Sequence, residues 1–162
     1  MASEQAWKSL RHFRPNGPDN FGDPNAIDEK LLFYLDDFRD YIGTPVIVTS
    51  GVRPDVPGKS SFHTRKKGSC AVDVVIPGYQ KSVIDLLIDV TRFKFTGIGF
   101  YQGWMHKGHE VIGLHLDTRP SDVGARWIGF QERGKQVYGE LSFKTLLEHF
   151  ILDPELKSQI QP

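Results

Sequence analysis

The order of hydrophobic periods along this chain predicts an α+β domain, with a small antiparallel sheet flanked by helices. Two segments place apolar residues at three- and four-residue steps. Between and after them lie short stretches rich in β-branched and aromatic residues, joined mostly by short links. The chain has 162 residues, 39% hydrophobic and 12% aromatic, enough for one domain to bury a core without staples. Residues 1–162 therefore read as a single domain, with residues 1–25 an irregular N-terminal arm whose aromatics (Trp7, Phe13, Phe21) pack on it.

The first helix is expected after Asp23 as cap and Pro24 in the first turn, with Ile27, Leu31, Leu35, Phe38 and Ile42 on one face. Gly43 and Pro45 stop it. Val46 to Thr49 is a β-branched strand ending at Ser50-Gly51. Residues 53–70 form a loop whose length is itself a functional hint, because structureless loops this long are uncommon in compact domains. Ala71 to Ile76 reads as a strand, and Ser82 to Arg92 as a second helix through Val83, Leu87 and Val90. Short strands follow at Gly97–Tyr101, Ile112–Thr118, Arg126–Phe130 and Gln136–Tyr138, with a turn over residues 132–135. A last helix is capped by Ser142 and carries Phe143, Leu146, Leu147 and Phe150.

Lys plus Arg and Asp plus Glu both number 20, so the net charge is zero and the basic excess of a nucleic-acid binder is missing. No apolar run approaches a membrane span, and the first 15 residues hold no apolar signal core. The expectation is a chain made in the cytoplasm, with no nucleic-acid or membrane partner, and a monomer. The lone Cys70 excludes an intrachain disulfide and a multi-cysteine metal site.

Six histidines are present. His149 near a helix C-terminus reads as a surface residue, and His12 as part of the arm. His63 lies in the long loop, and Asp73 in the strand that leaves it, among Ala71, Val72, Val74 and Val75. A carboxylate there is costly to bury without a partner, so a metal or an ion pair is called for. His115 and Asp117 are two apart on a strand and share a face, while Leu114 and Leu116 take the other. Two histidines and a carboxylate suit a zinc ion with an open fourth position. The same residues also suit a buried His–Asp pair joining two strands. Cys70 enters an apolar strand and reads as packing; a thiol nucleophile paired with His63 or His115 is the rival. Arg65-Lys66-Lys67 reads as a solvated basic turn or as an attraction for anionic polymer. Tyr101 and Trp104 either line a groove or pack at the sheet rim.

Five motifs stand in order: Ser50-Gly51-Val52-Arg53, Ser61-Phe62-His63, Gly68 to Asp73, Gly97-Ile98-Gly99-Phe100-Tyr101 and His115-Leu116-Asp117-Thr118-Arg119. Together, over about residues 13–130, they resemble the zinc D-alanyl-D-alanine carboxypeptidase and L-alanyl-D-glutamate peptidase family of the Hedgehog/DD-peptidase fold. The resemblance implies one zinc held by His63, Asp73 and His115. It implies Arg53 gripping a substrate carboxylate or carbonyl, and Ser61 supporting the site by hydrogen bonding. The chain departs from the pattern in two ways. Nine residues separate His63 from Asp73, more than the family's usual gap, with the excess in residues 64–67. Loop closure tolerates such an insertion. Ile112 stands where many members carry an acidic residue, which leaves Asp117, then Glu110 in a loop able to fold over the zinc, then His109, as general base.

The expected function is hydrolysis of an amide bond in peptidoglycan stem peptides, by a D,D-carboxypeptidase or an endolysin-type L,D-endopeptidase. A bare domain resembles the phage-type enzymes, which act on the wall after release or within a virion. The alternative is a catalytically silent, zinc-stabilised binding or virion-structural domain of the same fold.

Overall fold

The computed structural model describes residues 1–58, 60–121 and 124–146. Its elements are α1 (Glu4–Ser9), α2 (Glu29–Ile42), β1 (Ile47–Ser50), β2 (Ala71–Ile76), α3 (Val83–Thr91), β3 (Gly97–His106), β4 (His109–Asp117), β5 (Ala125–Glu132), β6 (Lys135–Glu140) and α4 (Phe143–Leu146). A 3₁₀ turn over Arg65–Lys67 interrupts the long loop. The strands build one mixed sheet in the order β1-β2-β4-β3-β5-β6, so the class is α+β. No helix among the described residues is long and apolar enough to cross a membrane.

The sheet is not wholly antiparallel as expected: β3 and β5 pair in parallel. β4 already has β2 on one side and β3 on the other, so the chain leaving Asp117 passes the end of β3 and joins its open edge.

Strand alternation divides the sheet into two faces. Val72, Val74, Ile76, Ile98, Phe100, Leu114, Leu116 and Ile128 point to one side and are at most 2% exposed. All of them but Ile128 form one core cluster with Leu31, Leu32, Leu35 and Phe38 of α2 and Leu86 and Val90 of α3. Burying each such side chain stabilises the fold by ~1.5–3 kcal/mol.

Helix α2 begins later than its apolar spacing indicated. The Asp28 carboxylate caps it by accepting from the Leu31 N–H at 3.2 Å, whereas Asp23 accepts from the Asn25 N–H and closes a turn. Gly43 ends the helix at φ 61°, a conformation glycine adopts without strain. The arm is not irregular throughout, because Ser3 caps α1, whose Trp7 is buried edge-on against Phe21. The arm then runs beside β1: Asn20 N–H donates to Val48 O and Val52 N–H to Phe21 O. At the other end, Ser142 Oγ caps α4 by accepting from the Thr145 N–H. Leu147, His149 and Phe150 lie outside the described residues.

The strands predicted to end at Tyr101 and begin at Ile112 continue into a hairpin. Lys107 and Gly108 close it at φ 50° and 81°, the two positive angles of a type I′ turn. Residues 109 and 110 are therefore strand, not a loop over the site.

Candidate metal centre

The second face of the sheet is polar and aromatic. Asp73 pairs across β2–β4 with His115, which pairs across β4–β3 with Gly99, which pairs across β3–β5 with Trp127. One row of residues thus crosses four strands. Four glycines on this face leave room for the side chains beside them. A Cβ on Gly97 would meet the Asp117 carboxylate at 2.1 Å, and one on Gly99 the Trp127 indole at 2.4 Å. A Cβ on Gly113 would meet the Trp104 ring at 2.5 Å, and one on Gly129 the Tyr101 ring at 2.6 Å.

His63 arrives from the loop. Arg53 N–H donates to His63 O at 2.9 Å, and Cys70 N–H donates to Phe62 O at 2.9 Å, which pins the loop against the sheet. His63 N–H donates to Ser61 Oγ at 3.3 Å. His63 Nδ1 lies 2.8 Å from Gly51 O, which only accepts, so this nitrogen carries the proton and Nε2 presents its lone pair. The inserted residues 64–67 coil into the 3₁₀ turn and are absorbed without displacing His63 from Asp73.

His115 is fixed in the same way. Its Nε2 lies 3.0 Å from the Asp117 carboxylate, the partner that would hold the proton on Nε2 and free the Nδ1 lone pair for a metal. His63 Nε2, His115 Nδ1 and Asp73 Oδ1 then face one another at 3.3, 2.9 and 3.4 Å. Two imidazole nitrogens and a carboxylate oxygen converging in a buried place suit a cation between them. A tetrahedral ion with bonds of ~2.0–2.1 Å needs ligand atoms about 3.3 Å apart, so the donor atoms present fit a metal. The buried group His63, Asp73 and His115 could hold a metal ion.

Without a metal, the two carboxylates around His115 favour a proton on its ring. Burial opposes charge on His115, but its hydrogen bonds to Asp117 and Asp73 outweigh it and raise its pKa. Burial likewise opposes charge on Asp73, and hydrogen bonds from His115 and His63 hold its carboxyl well below the usual range. Asp117 is fully buried and is also held low, by His115 and then Arg119. Arg119 grips Asp117 through Nε at 2.9 Å and through Nη2, and lies 4.2 Å over the Phe62 ring and 5.5 Å from Trp127. Arg53 reaches Asp73 Oδ2 through Nη2 and Ser50 Oγ through Nε at 2.8 Å.

These groups open onto a cleft of about 680 Å³ whose walls include Arg53, Arg119, Tyr101, Trp104, Trp127 and Tyr138. Ser61 also lines it. The structure thus brings Arg53, Ser61, His63, Asp73, His115 and Asp117 together.

It does not bring Glu110 or His109 to them. Glu110 pairs with Met105 near the hairpin end, on the opposite strand face from His115. Five residues of strand put it about 17 Å away, and His109 is one residue further. Asp117 is held against His115 Nε2, across the ring from the converging lone pairs, so its place is that of an orienting partner rather than a base. Cys70 is buried, and chiefly burial pushes its thiol up to about 11, which makes it an inert packing residue.

Trp127 was legible only as a strand residue, yet its indole contacts His115 at 5.0 Å between ring centroids. The available signal was glycine alternating with apolar residues in Gly97-Ile98-Gly99-Phe100, Ile112-Gly113-Leu114 and Ile128-Gly129-Phe130. Each such glycine leaves a bed for a ring or carboxylate from a neighbouring position. Comparison of the chain with family models, curated proteins and solved structures finds no match.

Proposed function

We propose that the chain is a zinc peptidase of Hedgehog/DD-peptidase-like fold that hydrolyses an amide bond in peptidoglycan stem peptides, as a D,D-carboxypeptidase or an endolysin-type L,D-endopeptidase. The observation that carries the reading is the convergence of His63 Nε2, His115 Nδ1 and Asp73 Oδ1 at tetrahedral spacing. They come from three motifs well separated in sequence, and they lie in an open cleft rather than a closed structural site. Two imidazoles and one carboxylate suit zinc with a free coordination position. The ion supplies Lewis acidity that activates water and polarises a carbonyl.

The chain's own groups do the rest. Asp117, locked by Arg119, fixes the tautomer of His115 and raises its basicity as a ligand. Arg53 is half-exposed at the cleft and can turn one guanidinium edge to a substrate carboxylate while the other stays with Asp73. Arg53 and Arg119 give the cleft a cationic edge that suits the carboxylates of stem peptides. The substrate lies in the cell wall, so the protein acts after release from the cytoplasm or within a virion.

A second reading has its own support. Among the described residues lining the cleft, Asp73 is the sole carboxylate, so no acidic side chain stands ready as a general base. That favours a catalytically silent, zinc-stabilised binding or virion-structural domain. Digestion of purified peptidoglycan by the zinc-loaded protein, followed by mass spectrometry of released fragments, separates the two. The peptidase reading expects a new amine and carboxylate at one stem bond, lost on adding a chelator. Binding to peptidoglycan without fragment release would establish the silent domain.

A further inference from the structure

Tyr101 is a polar group of the cleft that neither the metal group nor its supporting pairs employ. It lies on β3 two residues beyond Gly99, and so one step along the sheet face from the row that carries His115. Its ring rests over Gly129 of β5, where a Cβ would come within 2.6 Å, and is packed edge-on by Trp104 at 5.3 Å and Tyr138 at 6.4 Å. The ring therefore has little freedom to swing away.

The hydroxyl is aimed by Trp127. The indole Nε1–H, a donor only, lies 3.4 Å from Tyr101 Oη. That same Nε1 lies 2.4 Å from the position a Cβ would take on Gly99, directly across from His115. The indole thus draws Tyr101 Oη back to the row of the metal group, where the charges of Asp73 and Arg53 act on it. Because Oη accepts from Trp127, its single proton remains to be donated. Among the described residues Tyr101 donates to none, and the side of the hydroxyl left open is the cleft. Burial, foremost, pushes the phenol up to about 12, so it keeps that proton at neutral pH.

We infer that Tyr101 is a catalytic residue that donates its hydroxyl hydrogen bond to the carbonyl oxygen of the scissile amide as negative charge develops there. The phenol keeps its proton throughout, and no bond to it forms or breaks. Amide hydrolysis moves charge from a neutral carbonyl onto oxygen, so a fixed donor stabilises the transition state more than the bound substrate. A preset donor in a partly desolvated cleft has this effect, whereas a mobile surface tyrosine would not. Arg53 is less suited to the task, being committed to Asp73 and Ser50. The inference rests on the peptidase reading, and Trp127 enters it as a positioning residue.

The test uses the zinc-loaded full chain, wild type and Tyr101→Phe, with Trp127→Phe alongside. Tyr101→Phe keeps the ring over Gly129 and against Trp104, so fold and zinc content are expected unchanged. Removing one such donor lowers kcat by about 100- to 1,000-fold with KM nearly constant. Calorimetry with phosphinate analogues of D-alanyl-D-alanine and of L-alanyl-D-glutamate supplies a readout apart from turnover. The charged tetrahedral analogue is expected to bind about a hundredfold more weakly to Tyr101→Phe, while the cleaved peptide product binds equally well. Trp127→Phe is expected to show a smaller loss of the same kind.

An active wild type, with kcat and phosphinate affinity unchanged in Tyr101→Phe, overturns the assignment and leaves the peptidase reading standing. A wild type without turnover whose phosphinate affinity still depends on the Tyr101 hydroxyl refutes the peptidase reading but retains Tyr101 as an oxygen-directed donor. A wild type that neither turns over nor binds either phosphinate overturns both.

Discussion

The two faces of the sheet are made by the same strands, yet they obey different rules. On one face Val72, Leu114, Leu116, Ile98 and Phe100 are fully buried against α2 and α3. On the other, Asp73, His115, Asp117, Gly99 and Trp127 form a charged and aromatic cleft. The first face is held by area removed from water and tolerates little loss of volume. The second is held by partners: Asp73, His63, His115 and Asp117 are each satisfied by a named neighbour, and three of them could hold a metal ion. Stability therefore resides mainly on one side of a strand and chemistry on the other, one residue apart.

Adjacent substitutions should break this comparison most sharply. Leu114→Ala should destabilise the fold by ~2–5 kcal/mol, read by denaturant unfolding, while the remaining folded protein still binds zinc. His115→Ala should do the reverse: stoichiometric zinc is lost, and the metal-free fold changes far less. Equal stability losses from the two would show that the polar face is as much core as the apolar one.

Asp117→Asn tests support at one remove from the ligands. It should weaken zinc binding by about 10–100-fold in a chelator competition, without removing the site. Unchanged affinity would mean that His115 is oriented by its packing against Trp127 alone.

Gly99→Ala probes the glycine beds. The added methyl would meet the indole at 2.4 Å, so Trp127 must shift away from His115 and Tyr101. The expected cost is ~1–3 kcal/mol in stability. Trp127 emission should change, and turnover should fall with zinc retained. Gly43→Ala, with nothing within 4 Å of its Cβ but a φ of 61°, is the contrasting case: strain without displacement of the site.

The smallest effect is that of pH on the metal-free protein. His115 has a raised pKa, so its contribution is fully present below about 6.5 and is lost as pH rises through the raised value. Asp73 and Asp117 have lowered values, so their contributions are present above about 3.9 and are lost as pH falls. Melting temperature in chelator should therefore peak between about pH 4 and 6.5 and decline toward pH 8. With zinc, the alkaline decline should vanish, because neutral imidazole is the ligand form. A metal-free protein most stable at pH 8 would contradict the proton-for-metal exchange in the cluster.

The alternating face was readable from local sequence. Leu114-His115-Leu116-Asp117 announces two faces by its spelling, and Ala71 to Ile76 coincides with β2 because a lone Asp among β-branched residues leaves no other period. The residues whose role depends on long-range pairing were not readable. Lys107-Gly108 lacks the Asn or Asp that usually marks a type I′ turn, so the hairpin read as a loop and Glu110 as a possible base. The parallel β3–β5 pair follows from which strand edges were already filled, which no local pattern encodes. Trp127 acquires its role through the rings of His115 and Tyr101 on other strands, and Arg119 joins its local grip on Asp117 to the distant rings of Phe62 and Trp127. The six-residue α1 is too short to leave a period of its own in an aromatic-rich arm.

The most direct measurement is zinc K-edge X-ray absorption on protein reconstituted with one equivalent of zinc, wild type and His115→Ala. The account predicts a four-coordinate nitrogen and oxygen shell at ~2.0–2.1 Å, with two imidazoles in the wild type and loss of tight zinc in the variant. A sulfur scatterer at ~2.3 Å would move the site to Cys70. An unchanged spectrum and full zinc in His115→Ala would equally show that His63, Asp73 and His115 are not the metal's ligands.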